Sequence, residues 1–179
     1  FNNALFFPLS TSKRDGHQFI QDAVKKGIRN FIVETPEQIR SFEGVNYCLV
    51  PNSLDAFQEI AAKKRGDSNI ELLAITGSNG KTIVKEWLSQ ILSNSYRIVK
   101  SPKSYNSQIG VPLSVWQINE RHNLGIFEAG ISKEGEMQKL QNILRPNIGL
   151  ITNIGSAHDE GFKNRDIKFL EKLKLFDGA

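Results

Sequence analysis

The 179-residue sequence holds a single cysteine, so no disulfide can form within the chain. The setting of that residue, Cys48, in the apolar run "YCLV" predicts a buried, inert thiol and suits a reducing cytoplasm. No stretch approaches the ~18 apolar residues that a membrane span requires. The opening "FNNALFFPLSTSKRDG" has no basic stretch ahead of its apolar residues, so neither membrane insertion nor a secretory leader is predicted. Internal repeats and low-complexity tracts are missing as well. So is charge of one dominant sign: 23 Lys and Arg stand against 19 Asp and Glu. The net charge of +4 is scattered rather than gathered into a stripe, which fits phosphate-bearing ligands and argues against a nucleic-acid footprint. Position 1 is Phe rather than Met, and the chain stops just after the helical pattern of "LKLFDGA", so the sequence reads as a piece of something longer.

What is present is an ordinary globular chain, 39% hydrophobic and 23% charged. Apolar residues of "GHQFIQDAVKKG" recur at helical spacing up to a stop at Gly27, and the strand "IRNFIVE" follows. "TPEQIRSF" offers a helix start with Pro36 in its first turn, "VNYCLVP" a second strand, and "NSLDAFQEIAAKKRG" a full helix capped by Asn52 or Ser53. The polar exit near Gly66 to Asn69 is the best boundary. Beyond it, "IELLAI", "YRIVK", "NLGIFEAG" and "IGLITNIG" read as buried strands, and "KTIVKEWLSQIL" and "GEMQKLQNIL" as helices. In the first helix Ile83, Val84, Trp87, Leu88, Ile91 and Leu92 are expected on one apolar face. The class is therefore α/β: a small αβ N-terminal domain over residues 1–67, then the first part of a parallel-sheet, phosphate-loop domain over residues 68–179.

One further absence bears on chemistry. The phosphate-loop pattern G-x-x-x-x-G-K-[ST] asks for glycine where this chain has Ile75, leaving only G-x-x-G-K-T from Gly77 to Thr82. A strand precedes it and an amphipathic helix follows, so the amides of Gly77, Ser78, Asn79, Gly80 and Lys81 can curl around an anion at a helix N-terminus. Lys81 would reach the terminal phosphates and Thr82 would place a hydroxyl on Mg²⁺. The plain alternative is a glycine turn that only caps a helix. Glu128 ends an apolar strand and serves either as metal ligand or general base, or as a helix-cap partner. His158 follows the next strand and is either a ligand or a packed residue. The strand-helix alternation sets Thr82, Glu128 and His158 on one rim of one sheet, which favours a site. Asn106, ahead of a turn-forming Gly-Val-Pro, meets a phosphate or bonds its own backbone. Lys172 reads as a surface lysine beside an apolar stripe of Leu170, Leu173 and Phe176.

In this order, "TGSNGKT", "YNSQIGVP", "FEAGISKEGEM", "RPNIGLITNIGSAHDEGF" and "KLKLF" resemble the Mur ligase superfamily. Within it the similarity is to the type that joins D-alanyl-D-alanine to UDP-N-acetylmuramoyl-tripeptide, whose N-terminal domain "FFPLSTSKRDGHQFIQDAVKKGIRNFIVE" also resembles. The short loop G-x-x-G-K-T is that superfamily's own form. The resemblance implies ATP-dependent amide ligation through an acyl phosphate, in cytoplasmic synthesis of peptidoglycan precursors, with ATP and Mg²⁺. It assigns Gly77, Ser78, Asn79, Gly80 and Lys81 to the ATP loop, Thr82, Glu128 and His158 to Mg²⁺, and Asn106 to the vicinity of nucleotide and metal. It gives Lys172 the place of a carbamylated lysine that helps hold a second Mg²⁺. Residues Ser10 to His17 would lie near the UDP end of the substrate. On this reading the chain stops midway through the central domain, does not ligate alone, and self-associates through an uncovered edge or face. Some relatives are fused to an alanine racemase. Two other readings stay open: another amide ligase of the superfamily, such as a folylpolyglutamate or cyanophycin synthetase, and a nucleotide-binding module without catalysis.

Overall fold

The computed structural model of the chain describes residues 3–10, 15–155 and 159–178. It resolves into two compact units, Phe1–Phe57 and Gln58–Ala179.

In the first unit three short strands, β1 (Leu5–Phe6), β2 (Asn30–Val33) and β3 (Asn46–Leu49), form a parallel sheet in that order. Helix α1 (Ile20–Lys25) lays Ile20 and Ala23 against Phe31 and Val33. It stops where Gly27 turns to φ 91°, a conformation an L side chain rarely adopts. Strand β1 was not legible in the sequence. The start expected at Thr35–Pro36 delivers a single 3₁₀ turn, Pro36–Gln38, held by Gln38 Oε1 accepting from the amides of Glu34 and Thr35 at 2.8 and 3.0 Å. Cys48 is exposed, not buried. Tyr47 turns inward onto Phe31, so the next residue of this edge strand faces the other way.

Helix α2 (Ser53–Gly66) begins where Asn52 Oδ1 accepts from the Asp55 amide at 2.8 Å. The division between the units falls inside this helix. The second unit is built on β4 (Glu71–Thr76), β5 (Ile98–Lys100), β6 (Leu124–Glu128) and β7 (Ile148–Ile151), all parallel, in the order β5-β6-β4-β7. Between them run α3 (Lys81–Leu92), α4 (Gly110–Val115) and α5 (Glu136–Leu144), and α6 (Arg165–Leu173) follows the last strand. Helix α3 covers one face, with Val84, Leu88 and Leu92 on Leu73, Ile75, Leu124 and Ile126. The other face carries the larger core, where Val111, Val115, Met137, Leu140, Ile143 and Leu144 meet Leu72, Ala74 and Phe127.

Four sequence readings change here. Gly110-Val111-Pro112 opens α4 rather than closing a turn, because proline fits a first helical turn that needs no amide from it. Strand β7 is an edge, with Ile148 49% exposed, rather than a buried strand. On α3 the apolar residues are too many for one contact face: Ile83, Trp87 and Ile91 stand in solvent, while Lys85 is fully buried. Helix α6 is reversed, leaving Leu170 60% exposed and burying Lys168, Glu171 and Lys172. Each of these polar groups has a backbone partner: Lys168 Nζ donates to the Gly155 carbonyl at 2.7 Å and Lys172 Nζ to the Gly77 carbonyl at 3.3 Å. Glu171 Oε1 accepts the amides of Gly135 and Met137 at 2.8 and 3.1 Å, capping the N-terminus of α5.

Candidate active site

The parallel strands all point their carboxyl ends the same way, so the turns after β4, β5, β6 and β7 gather at one rim. The glycine missing at Ile75 is explained by its place: Ile75 lies within β4, fully buried against the α3 face, and the loop begins two residues later. Gly77 has φ 134°, and a Cβ there would stand 2.0 Å from Thr152 Oγ1; glycine is required both by dihedral and by space. Gly80, at φ 82°, turns the chain into α3, whose first residues are Lys81 and Thr82.

The loop is pinned from beneath. The Ser78 amide donates to the Asn153 carbonyl at 2.8 Å, the Asn79 amide to Asn153 Oδ1 at 3.2 Å, and the Gly155 amide to Ser78 Oγ at 2.9 Å. Lys81 Nζ folds back onto the carbonyls of Gly77 and Ser78 at 2.7 and 3.3 Å. Burial holds its pKa below the usual lysine range, with Lys168 adding to the depression and Glu128 opposing it. Lys172 is 2% exposed and not a surface residue; burial first, then the charges of Lys81 and Lys168, bring its pKa down to about 8. An anion placed here would meet ammonium groups already stripped of water, where a charge-assisted hydrogen bond is strongest.

Three further predicted residues meet beside the loop. Thr82 Oγ1 donates to Glu128 Oε2 at 3.1 Å, and Asn106 Nδ2 reaches the same oxygen at 3.4 Å. Asn106 can come this close because Gly130 has no side chain: a Cβ there would lie 2.9 Å from Asn106 Oδ1. The Gly130 amide donates to the Asn106 carbonyl at 2.7 Å. Glu128 is fully buried. Its other oxygen, Oε1, lies 3.0 Å from Lys85 Nζ but receives no hydrogen bond from the described residues. His158 lies outside the described residues.

The donors suit Mg²⁺. Among the described residues no three His, Cys, Asp or Glu side chains come together, but Mg²⁺ takes only one or two carboxylates and completes its shell with water and phosphate oxygens. The buried Glu128 carboxylate turns Oε2 toward the Thr82 hydroxyl and the Asn106 side chain at the end of the phosphate loop, and this single carboxylate oxygen with a hydroxyl beside it meets that requirement.

Sequence reasoning missed Lys85, Lys168, Asn153 and Ser101. Nothing in their local patterns marks them; a lysine amid apolar residues reads as solvent-facing, and the partners of these side chains are carbonyls and amides of distant loops. Only the spacing of Lys85, one turn after Thr82, carries a trace of its place.

The Mur ligase middle domain family matches residues 75–179. The UDP-N-acetylmuramoyl-tripeptide--D-alanyl-D-alanine ligase of Borreliella burgdorferi is 35% identical over 180 residues, covering 97% of this chain and 39% of that protein. Its counterpart from Buchnera aphidicola is 38% identical over 174 residues, covering 97% and 37%. Among solved structures, MurF from Acinetobacter baumannii superposes with a TM-score of 0.90 at 28% identity over 98% of this chain and 38% of that one. The MurF ligase from Thermotoga maritima in complex with ADP gives 0.86 at 28% identity over 98% and 40%. The chain thus spans about two fifths of the length of the relatives it matches. With more than half of its residues, including the whole phosphate loop from Gly77 onward, matched by the family, the chain belongs to the Mur ligases.

Proposed function

We propose that this chain is the nucleotide-gripping part of an ATP-dependent amide ligase of peptidoglycan precursor synthesis. The ligase adds D-alanyl-D-alanine to UDP-N-acetylmuramoyl-tripeptide in the cytoplasm. The observation that carries the reading is the meeting of Thr82, Asn106 and Glu128 at the mouth of the Gly77–Lys81 loop. The names of the relatives supply the substrates. That no helix among the described residues is long and apolar enough to cross a membrane is compatible with this location.

In this reading Lys81 and the loop amides other than those of Ser78 and Asn79, which Asn153 accepts, hold the β- and γ-phosphates of ATP. Thr82 and Glu128, with Asn106 near them, would hold Mg²⁺, which when bound neutralises phosphate charge, and the family resemblance adds His158 to its ligands. The substrate carboxylate oxygen attacks the γ-phosphorus and ADP leaves. The amine of D-alanyl-D-alanine then attacks the acyl carbon of the acyl phosphate, losing a proton as inorganic phosphate departs. The chain's own part is alignment and charge: Lys81 follows the transferring phosphoryl group, and the apolar floor of β4 and β6 under the rim excludes water. Lys172, once carbamylated, would help hold a second Mg²⁺. Residues 1–67 are assigned to the UDP end of the substrate and 68–179 to the nucleotide. The outer edge of β7, unpaired among the described residues, favours self-association of this chain, and a monodisperse monomer by light scattering contradicts it.

The metal assignment is tested by ATP affinity with and without Mg²⁺. Mg²⁺ is expected to tighten binding, and Thr82→Ala to remove that gain; an affinity indifferent to Mg²⁺ contradicts the site. The substrate assignment is tested in a full-length ligase carrying this segment. ADP release is expected only when UDP-N-acetylmuramoyl-tripeptide is supplied, and release driven by a folate or a polyaspartate acceptor would favour the other superfamily ligases.

A further inference from the structure

Lys85 is buried completely, one turn beyond Thr82 on α3, and the activity proposed above gives it no task. A lysine taken wholly out of water is costly unless its charge and all its hydrogens are met. Here the charge is paired, and two of the hydrogens are met, by groups on separate elements. Its Nζ stands 3.0 Å from Glu128 Oε1 at the end of β6. It donates to the Ser101 carbonyl at 2.8 Å and to the Lys103 carbonyl, both in the turn after β5. Ser101 Oγ in turn accepts the Glu128 amide at 3.0 Å, and Lys103 is held at φ 49°, a rare conformation for a side chain of this kind. Glu86 Oε1 is also near, at 3.3 Å, but this carboxylate is partly in solvent and pairs with Lys100.

The same turn runs on to Asn106. Thr82, Glu128 and Asn106 therefore hang on three different elements, and Lys85 touches or belongs to each of the three. Its charge faces Glu128 Oε1, while Thr82 and Asn106 face Oε2. One oxygen of the carboxylate is fixed from behind and the other is presented to the loop.

We infer that Lys85 is the positioning residue of the metal site: an internal cation that holds the Glu128 carboxylate in one orientation and ties the Asn106 turn to α3. This rests on the Mg²⁺-nucleotide reading of the loop. Groups that orient metal ligands from behind typically change metal affinity by about 10–100-fold when removed, and that is the scale expected here. Such a residue touches neither nucleotide phosphate nor substrate, so its loss acts on the metal and not on metal-free nucleotide binding.

The test is Mn²⁺ binding to the chain in the presence of ADP, read by electron paramagnetic resonance, alongside ADP affinity without metal. Lys85→Met is expected to weaken Mn²⁺ at least about tenfold with metal-free ADP affinity unchanged. Lys85→Gln retains donors for the two carbonyls without the charge; it keeps the inference open to refutation if the methionine variant does not fold, and is expected to weaken Mn²⁺ on the same scale. Lys100→Met, which removes a cation from the exposed partner of Glu86, should leave Mn²⁺ affinity at the wild-type value. A lysine with only a structural role would lower the melting temperature of the Lys85 variants and leave the Mn²⁺ affinity of the folded protein intact. That result, or tighter Mn²⁺ binding, overturns the inference. Thr82→Ala separates the two claims: if it weakens Mn²⁺ and the Lys85 variants do not, only the role of Lys85 falls. If the unmodified chain shows no ADP-dependent Mn²⁺ site, the nucleotide-metal reading falls and the inference falls with it.

Discussion

The ammonium of Lys172 reaches the carbonyl of Gly77, 95 positions earlier in the chain, at 3.3 Å. The contact joins the last helix to the first residue of the phosphate loop, and it does so with a group whose pKa has come down from 10.5 to about 8. The folded chain therefore holds fewer protons than the unfolded chain between these two values.

Stability is expected to rise with pH across that window, because unfolding there takes up a proton. Below about pH 8 the penalty of the buried charge is fully present; above 10.5 it is gone in both states. Urea unfolding at a series of pH values checks this, and Lys172→Met should flatten the rise. A rise of equal size in the variant would assign it to other groups.

The same depression supplies the neutral amine that carbamylation requires. In ¹³C-labelled bicarbonate, a carbamate resonance absent from Lys172→Ala is expected, growing as pH passes upward through about 8. A spectrum identical in the two proteins would remove Lys172 from the metal site.

Glu171 decides where α6 sits. Its Oε1 is the acceptor for two amides at the start of α5 and it is only 3% exposed. Glu171→Ala leaves both donors unpaired, at a cost of about 1–3 kcal/mol. Because α6 carries Lys168 and Lys172, the variant should also loosen the loop, visible as faster hydrogen exchange at Ser78 and Asn79. Loss of stability with unchanged exchange would mean that α6 is held elsewhere.

Gly149 in β7 lies under the ring of Phe176: a Cβ there would be 1.9 Å from Cδ1. Gly149→Ala is expected to destabilise by about 1–3 kcal/mol, the usual range for overpacking. Phe176→Leu in the same chain should recover part of that loss. Strictly additive effects would show that the two residues do not share one space.

The sequence made the alternation of strands and helices legible, and with it the rim, because apolar runs bounded by turns report a buried parallel sheet directly. That logic sets Thr82 and Glu128 on the rim, while Asn106, ambiguous in its own pattern, is assigned by the resemblance alone; the three do meet. Helix α6 was misread because its inward face is polar: Lys168, Glu171 and Lys172 bury against backbone groups of distant loops, and no periodicity of apolar residues encodes that. Lys85 was missed for the same reason. Cys48 was assigned to a core because its neighbours are apolar, yet on an edge strand alternate residues face opposite sides, and Tyr47 took the inner one. What escapes the sequence is the set of long-range polar contacts, in which a charge is satisfied by main-chain groups that carry no residue-type signal.

The account stands on the loop from Gly77 to Thr82 being an ATP site. Calorimetric titration of ATP with Mg²⁺ into this chain and into Lys81→Ala tests it most directly. Removal of a charge-assisted contact worth about 1.5–3 kcal/mol should weaken ATP at least about tenfold in the variant, with the melting temperature little changed. Equal ATP affinity in the two proteins would contradict the account.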